Sequence, residues 1–228
     1  MGLCTDQLAE YLVALIKNIN KDTDIDEAWA KAKKRAENEA KSQSFDQQVK
    51  TLLDKGYPEA AGTGKDRFLN YINPLKEHFC PGSVIVIPEN MVSLDKQMAM
   101  VELNGKTGYA YADTTEIYNA EGMETPRKPY LIHDTEDGKD TLSNSPNDCA
   151  KMFKKQNRHG LNAQEGIAVI THKPEILKDR YLNLPGSHYK SSDLVPVLFL
   201  SRSCSTLQWS SADLSIFGQG SASCGSRG

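Results

Sequence analysis

The last stretch of the chain, residues 194–228, is nearly free of charged side chains, although 25% of all residues are charged. Its charged side chains are Arg202, Asp213 and Arg227. It begins with the apolar run 194–200 and ends in small residues around one thiol, Cys224. Uncharged sequence of this kind is typical of surface that is hidden from water in a core, a pocket or an interface. This C-terminal strip therefore has to pack inward, and we expect it to line part of any chemical site.

The bulk composition excludes several classes of protein. With 228 residues the chain is long enough for one large or two small domains. The net charge of −3 gives no general basic surface of the kind that nucleic acids require. The longest apolar runs, such as residues 11–16, fall far short of the roughly 20 residues that a membrane helix needs. Asp6 and Glu10 replace the basic start of a secretory signal. We expect a cytoplasmic protein with neither a nucleic-acid nor a membrane partner.

Cysteine usage and short motifs favour neither a cofactor nor a metal. The five cysteines are scattered and form no CxxC pair, which disfavours a disulfide framework and a zinc site. None of the three Gly-Lys pairs has both the glycine and the hydroxyl residue of a phosphate-binding loop. The acidic cluster 134–140 offers oxygen ligands to a hard cation, but its spacing is not that of an EF-hand and an ordinary acidic turn explains it as well. We therefore predict no cofactor and no metal ligands.

The first part of the chain has the apolar spacing of helices. This spacing predicts helices over residues 5–19, 24–41, 44–55 and 65–78. The second of these helices has a thin apolar face made of Trp29 and alanines. We expect residues 1–43 to form a helical N-terminal extension that either docks on the rest of the chain or mediates self-association.

After Pro81 and Gly82 the pattern becomes that of strands. Strands are predicted at 84–87, 98–103, 107–112, 130–132, 195–200 and 206–209, with a hairpin turn at Asn104 and Gly105. Helices are predicted over 146–156, with Ser145 as the N-cap and Pro146 in the first turn, and over 162–172, where Asn162 and Glu165 form the cap. Pro196 inside a strand favours a sheet edge or a bulge.

These elements predict an α+β fold, in which a helical N-terminal part is followed by a mixed or mostly antiparallel sheet with packed helices. We expect residues 44–228 to form a single domain, helical over 44–80 and sheet-containing over 81–228.

Several short segments resemble a bacterial family that is known only as a domain of unknown function. They lie at residues 45–49, 52–58, 129–131, 134, 164–168, 171–172, 174–175, 195–196 and 220–224. The resemblance covers roughly residues 45–228 and implies no activity, substrate or cofactor. The chain departs from the family pattern at His133, where an aliphatic residue is usual, at His188, where an arginine is usual, and at Ser211, which replaces a tryptophan. A site near residues 188 or 211 would therefore differ here.

Cys224 and His172 are the candidates for nucleophilic chemistry. A cysteine nucleophile needs its pKa lowered from about 8.5 by a helix N-terminus or a nearby histidine. Imidazole suits the role of general base because its pKa lies near neutral pH. Asp134 or Glu165 could orient His172, and the backbone around Cys224 could form an oxyanion hole. The ordinary alternatives are a small buried thiol and a histidine on the last helical turn.

Other residues are candidates for binding a ligand. Arg158 belongs to a basic cluster that could hold an anion, although cations at a helix C-terminus also complement the helix dipole. Trp209 could line a pocket or belong to the core. The predicted binding residues are Glu165, Trp209, Ser221, Ser223 and Arg158.

The function itself stays open. One hypothesis is a binding or interaction protein that recognises an unknown small molecule or protein, since no catalytic or metal motif is complete. The alternative is a thiol-dependent hydrolase or transferase that uses Cys224 and His172. A translocated bacterial effector is a third hypothesis, suggested by the small polar tail.

Overall fold

A computed structural model describes residues 44–228, and the extension 1–43 with its two predicted helices lies outside the described residues. The helices are α1 (residues 44–54, as far as described), α2 (Tyr57–Ala60), α3 (Lys65–Ile72), α4 (Leu94–Met100), α5 (Pro146–Lys155), α6 (Ala163–His172) and α7 (Ile176–Asp179). Short 3₁₀ helices cover Asn73–Glu77, Thr114–Glu116 and Lys139–Thr141. None of the helices within residues 44–228 has the length and apolar character needed to cross a membrane.

The strands are short, apart from one long hairpin near the C-terminus. They are β1 (Val84–Val86), β2 (Glu102–Leu103), β3 (Lys106–Thr107), β4 (Tyr109–Ala110), β5 (Ile117–Asn119), β6 (Tyr130–His133), β7 (His159–Gly160), β8 (Tyr181–Asn183), β9 (Ser187–Tyr189), β10 (Leu194–Ser201), β11 (Cys204–Ser211), β12 (Gln219–Ser221), β13 (Ser223–Cys224) and β14 (Ser226–Arg227).

The sheets confirm the predicted α+β class. One sheet has the strand order β1-β6-β14 and a second has the order β12-β8-β10-β11-β4, while the remaining strands form two-stranded ribbons. Most pairs are antiparallel, and the β11–β4 and β12–β8 pairs are parallel. The C-terminal strip supplies β10 to β14, but Leu214 and Phe217, between β11 and β12, are exposed rather than packed inward.

The three-stranded sheet separates two hydrophobic cores, and the period-two alternation of strand side chains produces this arrangement. Val84 and Val86 of β1 face one core, together with α4 and α6. Ile85 between them faces the other core, together with the helices over residues 45–79. The strand β6 divides its residues in the same way, so both cores share two strands.

The five-stranded sheet is covered on both sides. Leu182, Leu198 and Leu207 lie on one face and pack in the same core as α6. The helix α5 lies against the opposite face, where the Cys149 thiol approaches Ser221 of β12.

Helix starts occur where the sequence places capping residues. Asn162 and Glu165 form the reciprocal capping box of α6, and Ser145 caps α5 with Pro146 at the first helical position. Asn104 and Gly105 both have positive φ, at 54° and 74°, as a tight hairpin turn between β2 and β3 requires.

Two local predictions were wrong. Residues 98–100 belong to the helix α4 rather than to a strand, since Met98 is fully buried on its inner face, and the hairpin retains only two residues on each side. Pro196 lies in β10, which is a central strand and not an edge. The proline is tolerated because, in an antiparallel sheet, the backbone nitrogen and the carbonyl of one residue both point to the same adjacent strand. The Pro196 carbonyl accepts from Leu184 just beyond the end of β8, so no ladder bond to β11 is lost.

Candidate functional site

A cavity of about 180 Å³ lies between α5, the 3₁₀ helix Lys139–Thr141 and the strands β12 and β13. The exposed carboxylates of Glu136 and Asp140 stand at its rim, and the buried Phe153 contributes an apolar wall. Three of the predicted binding residues, Arg158, Ser221 and Ser223, line this same cavity. Arg158 is at least 63 positions away from either serine in the sequence, and the structure brings the three side chains together.

Ser221 lies fully buried in the wall of the cavity, and its hydroxyl has no hydrogen-bond partner within residues 44–228. The Cys149 thiol approaches it without reaching hydrogen-bond geometry. The backbone of Ser221 is held firmly, because its N–H donates to Thr141 Oγ1 over 2.7 Å and its carbonyl accepts from the same hydroxyl over 3.0 Å. A buried hydroxyl left unpaired costs on the order of 1–3 kcal/mol. The serine is therefore fixed in place with its polar group available.

The strand neighbour of Ser221 repeats this feature. Asn183 of β8 is paired with Ser221 in the parallel register and is also fully buried. Neither its amide nitrogen nor its amide oxygen has a partner in the described part of the chain. Paired residues of adjacent strands place their side chains on the same face of a sheet. The face that α5 covers therefore holds three unpaired polar atoms on two adjacent residues.

Arg158 forms a rigid wall of the cavity. Its Nε donates to Ser223 Oγ over 2.9 Å, and its two terminal nitrogens donate to the carboxylate and the backbone carbonyl of Asp134, each over 2.5 Å. Because Asp134 neutralises the guanidinium, Arg158 is largely committed to shaping the wall. Within residues 44–228 the structure gives Glu136 and Asp140 no ion pair, so the rim is left with an excess of negative charge.

Two glycines bring the cavity wall together. The backbone of Gly220 touches that of Gly138, and a Cβ on Gly220 would lie 2.0 Å from the Gly138 carbonyl oxygen. Gly138 has a φ of 80°, which side chains rarely allow. This close approach holds the 3₁₀ helix against β12 and determines the shape of the cavity.

Glu165 lies in a separate buried cluster, where every oxygen is occupied. Its carboxylate accepts from Arg227 at 2.6 and 2.8 Å, from the Tyr130 hydroxyl at 3.0 Å and from the Asn162 backbone at 3.0 Å. Burial, with a smaller effect of the Glu165 charge, raises the pKa of Tyr130, so its hydroxyl stays protonated and donates. The Glu165 cluster has no unfilled hydrogen-bonding position and ties β14, β6 and α6 together.

Cys224 and His172 lie near opposite ends of α6. Cys224 is beside Glu165 and Arg227 at the helix N-terminus, and seven residues of helix correspond to roughly 10 Å between Glu165 and His172. Burial raises the pKa of the Cys224 thiol to about 12, against the smaller opposing effect of Arg227. A thiol with that pKa is not activated as an attacking group.

His172 is held neutral at its end of the helix. Burial lowers its pKa to about 4, although the Ile85 backbone opposes the shift, and Lys55 and Lys173 lower the pKa further. Neither ring nitrogen reaches hydrogen-bond geometry with any group within residues 44–228. Asp134 is engaged with Arg158 and not with His172. The catalytic roles of Cys224, His172 and Asp134 stay predictions, and the geometry favours none of them.

Trp209 does not line the cavity. Its side chain is 40% exposed and stacks on Tyr189 with ring centroids 5.8 Å apart. It therefore covers the buried ring of Tyr189 from the solvent side, and its binding role stays a prediction.

The sequence patterns missed Thr141 and Asn183. Neither residue belongs to a motif: Thr141 reaches the cavity wall on the 3₁₀ helix Lys139–Thr141, and strand pairing places Asn183 beside Ser221. The acidic cluster 134–140 contains two residues of the cavity rim, Glu136 and Asp140. Asp137 of the same cluster does not line the cavity and forms an ion pair with Arg180. Within residues 44–228 no group of three or more histidine, cysteine or acidic side chains is arranged to hold a metal ion.

Comparison with known proteins gives one match. The model of a family described as "Family of unknown function (DUF5701)" matches residues 51–205, which include the rim residues and Arg158 but not β12 and β13. No curated protein and no solved structure matches the chain.

Proposed function

The chain belongs to DUF5701, a family of unknown function, and from that premise we propose that it is a binding protein that holds a small polar molecule in the cavity beside β12. The observation that carries the proposal is the unpaired hydroxyl of Ser221, fully buried in the cavity wall. Buried polar groups are normally hydrogen-bonded, so a buried hydroxyl that lacks a partner and faces a cavity is a candidate ligand contact.

The size and charge of the cavity limit the ligand. A volume of about 180 Å³ corresponds to roughly six water molecules at their liquid volume of about 30 Å³ each. A ligand of this size has only a few heavy atoms. The carboxylates of Glu136 and Asp140 at the rim disfavour an anion and favour a molecule that donates hydrogen bonds. Small amines and polyols have this chemistry.

The thiol-dependent enzyme has no support in the described structure. The Cys224 thiol is buried with a raised pKa, and His172 lies near the far end of the same helix. Native labelling with iodoacetamide tests this directly. Cys224 should react no faster than Cys149, the other buried thiol, whose pKa burial also raises.

A titration followed by NMR tests the binding proposal. Ethanolamine, glycerol and glycolate are added separately to the labelled full-length chain, and amide shifts are recorded over residues 138–141 and 220–223. Ethanolamine, which is cationic, or glycerol, which is neutral, should shift these amides, whereas glycolate is an anion and is the disfavoured probe. Ser221→Ala should weaken the response. Ser226→Ala, an exposed serine of the same strip, is the matched control and should leave it unchanged. If neither ethanolamine nor glycerol shifts the cavity amides, the proposal fails, whether or not glycolate does.

We further propose that the chain is a bacterial cytoplasmic protein, that residues 44–228 form one domain and that residues 1–43 mediate self-association. The support is the family resemblance, the composition and the sharing of two strands between the cores. Sedimentation of the full chain and of a 44–228 fragment would compare the two masses. Monomers in both cases would rule out self-association.

A further inference from the structure

We propose that Cys80 is a covalent modification site for soft electrophiles, with the imidazole of His133 accepting the thiol proton. This site lies outside the cavity and does not depend on the binding function. It is made by the turn before β1 and the last residue of β6.

A tight turn presents the thiol to solvent. The Ser83 N–H donates to the Cys80 carbonyl over 2.9 Å, and Gly82 at the third position has a φ of 85°. This is the arrangement of a Pro-Gly turn, in which glycine supplies the positive φ. The Cys80 N–H also donates to Ser83 Oγ over 3.0 Å. Cys80 is therefore exposed but held in a defined position.

His133 brings a proton acceptor to this thiol. Its Nδ1 lies 2.8 Å from Ser83 Oγ and 3.5 Å from Cys80 Sγ. When the ring carries its proton on Nε2, Nδ1 has a single lone pair, and the Ser83 hydroxyl and the Cys80 thiol are the two groups that can donate to it. The thiol proton therefore transfers to Nδ1 as the Ser83 hydroxyl turns away. Cys80 Sγ also lies 3.6 Å from the His78 carbonyl. The imidazole and this carbonyl are the two acceptors that face the thiol.

The surroundings keep the imidazole in its neutral form. Partial burial lowers the pKa of His133, and the neighbouring His78 lowers it further. Gly228 lies beside Nε2 on the other side of the ring. At neutral pH the imidazole is therefore free to take up a proton as the thiol reacts.

The other described cysteines lack this combination. Cys149 and Cys224 are buried, and burial raises the pKa of both thiols. Cys204 is half-buried, and no histidine contact is found for it in the described chain. Cys80 joins exposure to a neighbouring histidine, two features that are common at reactive thiols.

The chemical step balances without a further reactant. With an alkyl halide, the S–C bond forms, the C–halide bond breaks and the halide leaves with the electron pair, while the thiol proton moves to His133 Nδ1. With a hydroperoxide, the S–O bond forms and the O–O bond breaks. The departing alkoxide then takes the proton from His133 and leaves as an alcohol, and Cys80 becomes a sulfenic acid.

The rate at which iodoacetamide labels each cysteine of the native full-length chain, followed by mass spectrometry from pH 5.5 to 9, tests the proposal. In wild type, Cys80 should react fastest of the four described cysteines, and its rate should show a shoulder below pH 7.5. The shoulder arises because assistance by neutral His133 adds to the ordinary thiolate reaction. A rate that simply follows thiolate formation, with no shoulder, would overturn the proposal without any variant.

His133→Asn is the matched variant, because an amide can replace the Nδ1 hydrogen bond to Ser83 but cannot take up a proton. It should abolish the shoulder and slow Cys80 labelling about five- to tenfold at pH 7. An unchanged rate in this variant means that Cys80 is merely accessible, and the proposal fails. Labelling of Cys149 and Cys224 serves as the folding control, since both stay unreactive only while the core is intact. Should they react, the wild-type rate profile decides, and the absence of its shoulder overturns the proposal.

Discussion

The Glu165 cluster and the cavity beside β12 are both polar regions buried by the same C-terminal strip, but they differ in how completely their atoms are paired. Arg227 fills both oxygens of Glu165, and Tyr130 and the Asn162 backbone complete the set. At the cavity, the wall residue Ser221 and its strand neighbour Asn183 retain unpaired atoms. A saturated network stabilises one arrangement of strands. An unsaturated one carries a cost that a bound molecule can relieve, so the pairing of atoms separates scaffold from candidate site.

The helix α6 shows the same difference between its two ends. Its first turn is closed by the capping box and the ion pair with Arg227. Its last turn holds His172, with two shielded nitrogens that reach no partner in the described chain. The first end should therefore resist change in pH, whereas the last end should respond to it.

The largest expected effect comes from breaking the saturated region. Arg227→Ala leaves the fully buried carboxylate of Glu165 without its partner, which typically costs about 3–5 kcal/mol. Urea unfolding of the variant measures the loss. Arg67→Ala, an exposed arginine on α3, is the control and should stay within about 0.5 kcal/mol of wild type. A loss no larger than the control would mean that the Glu165 cluster is not a scaffold.

The second effect is a dependence of stability on pH that belongs to His172. The folded pKa is about 4 and the unfolded pKa is 6.5, so between these values the unfolded chain binds a proton that the folded chain excludes. The stability is complete above pH 6.5 and falls as the pH drops towards 4, by an amount on the order of 3 kcal/mol. Unfolding measured at pH 7.5, 6 and 5 should show this fall.

His172→Leu tests the assignment, because leucine is buried without a titrating group. It should flatten the slope between pH 6.5 and 5, whereas His159→Leu, at an exposed position, should leave the slope as it is. Equal slopes in wild type and His172→Leu would contradict the assignment.

A smaller effect is expected where the cavity wall closes. A Cβ on Gly220 would collide with the Gly138 carbonyl, which is backbone and cannot turn aside. Gly220→Ala should therefore cost about 1–3 kcal/mol and shift the amides of residues 138–141. Gly228→Ala meets nothing closer than 3.9 Å and should change little. Equal thermal midpoints for the two variants would show that the wall is not tightly packed.

The smallest effect separates the two kinds of hydroxyl in the cavity wall. Ser221→Ala removes a hydroxyl that makes no hydrogen bond in the described chain, so stability should stay the same or rise by up to about 1 kcal/mol. Thr141→Val removes bonds to Gly138 and to both backbone groups of Ser221, and should cost about 1–3 kcal/mol. If Ser221→Ala lowers the free energy of unfolding as much as Thr141→Val does, the Ser221 hydroxyl is hydrogen-bonded, and the binding proposal loses the observation on which it depends.

The sequence predicted those elements whose signals are local. The capping residues Asn162 and Ser145, and the Asn104-Gly105 turn, each act within a few positions, and each was confirmed. The segment Met98–Met100 was predicted wrongly because so short an apolar run fits a strand as well as a helix, and burial of Met98 against the core decides between them. Pro196 was misplaced because its effect depends on where the neighbouring strand ends.

The candidate site was predictable only in part, for the same reason. The lack of charge in the C-terminal strip indicated buried surface, and Ser221, Ser223 and Arg158 do line one cavity. Glu165 was noticed as a polar residue, but its saturation by Arg227 requires β14 to lie beside β6. Thr141 comes to the cavity on the 3₁₀ helix that the contact between Gly138 and Gly220 holds against β12, and Asn183 comes beside Ser221 through the pairing of β8 with β12. No local pattern records either approach.

The sheet β1-β6-β14 is a single layer between two cores, and this has a consequence for how the molecule comes apart. Ile85 and Leu131 face the helical side, while their immediate neighbours in the chain face α6. The helical side cannot detach without exposing the back of the strands on which the other side depends. The two halves should thus lose their protection from hydrogen exchange together, and the amides of β1 and β6 would be the place to observe it.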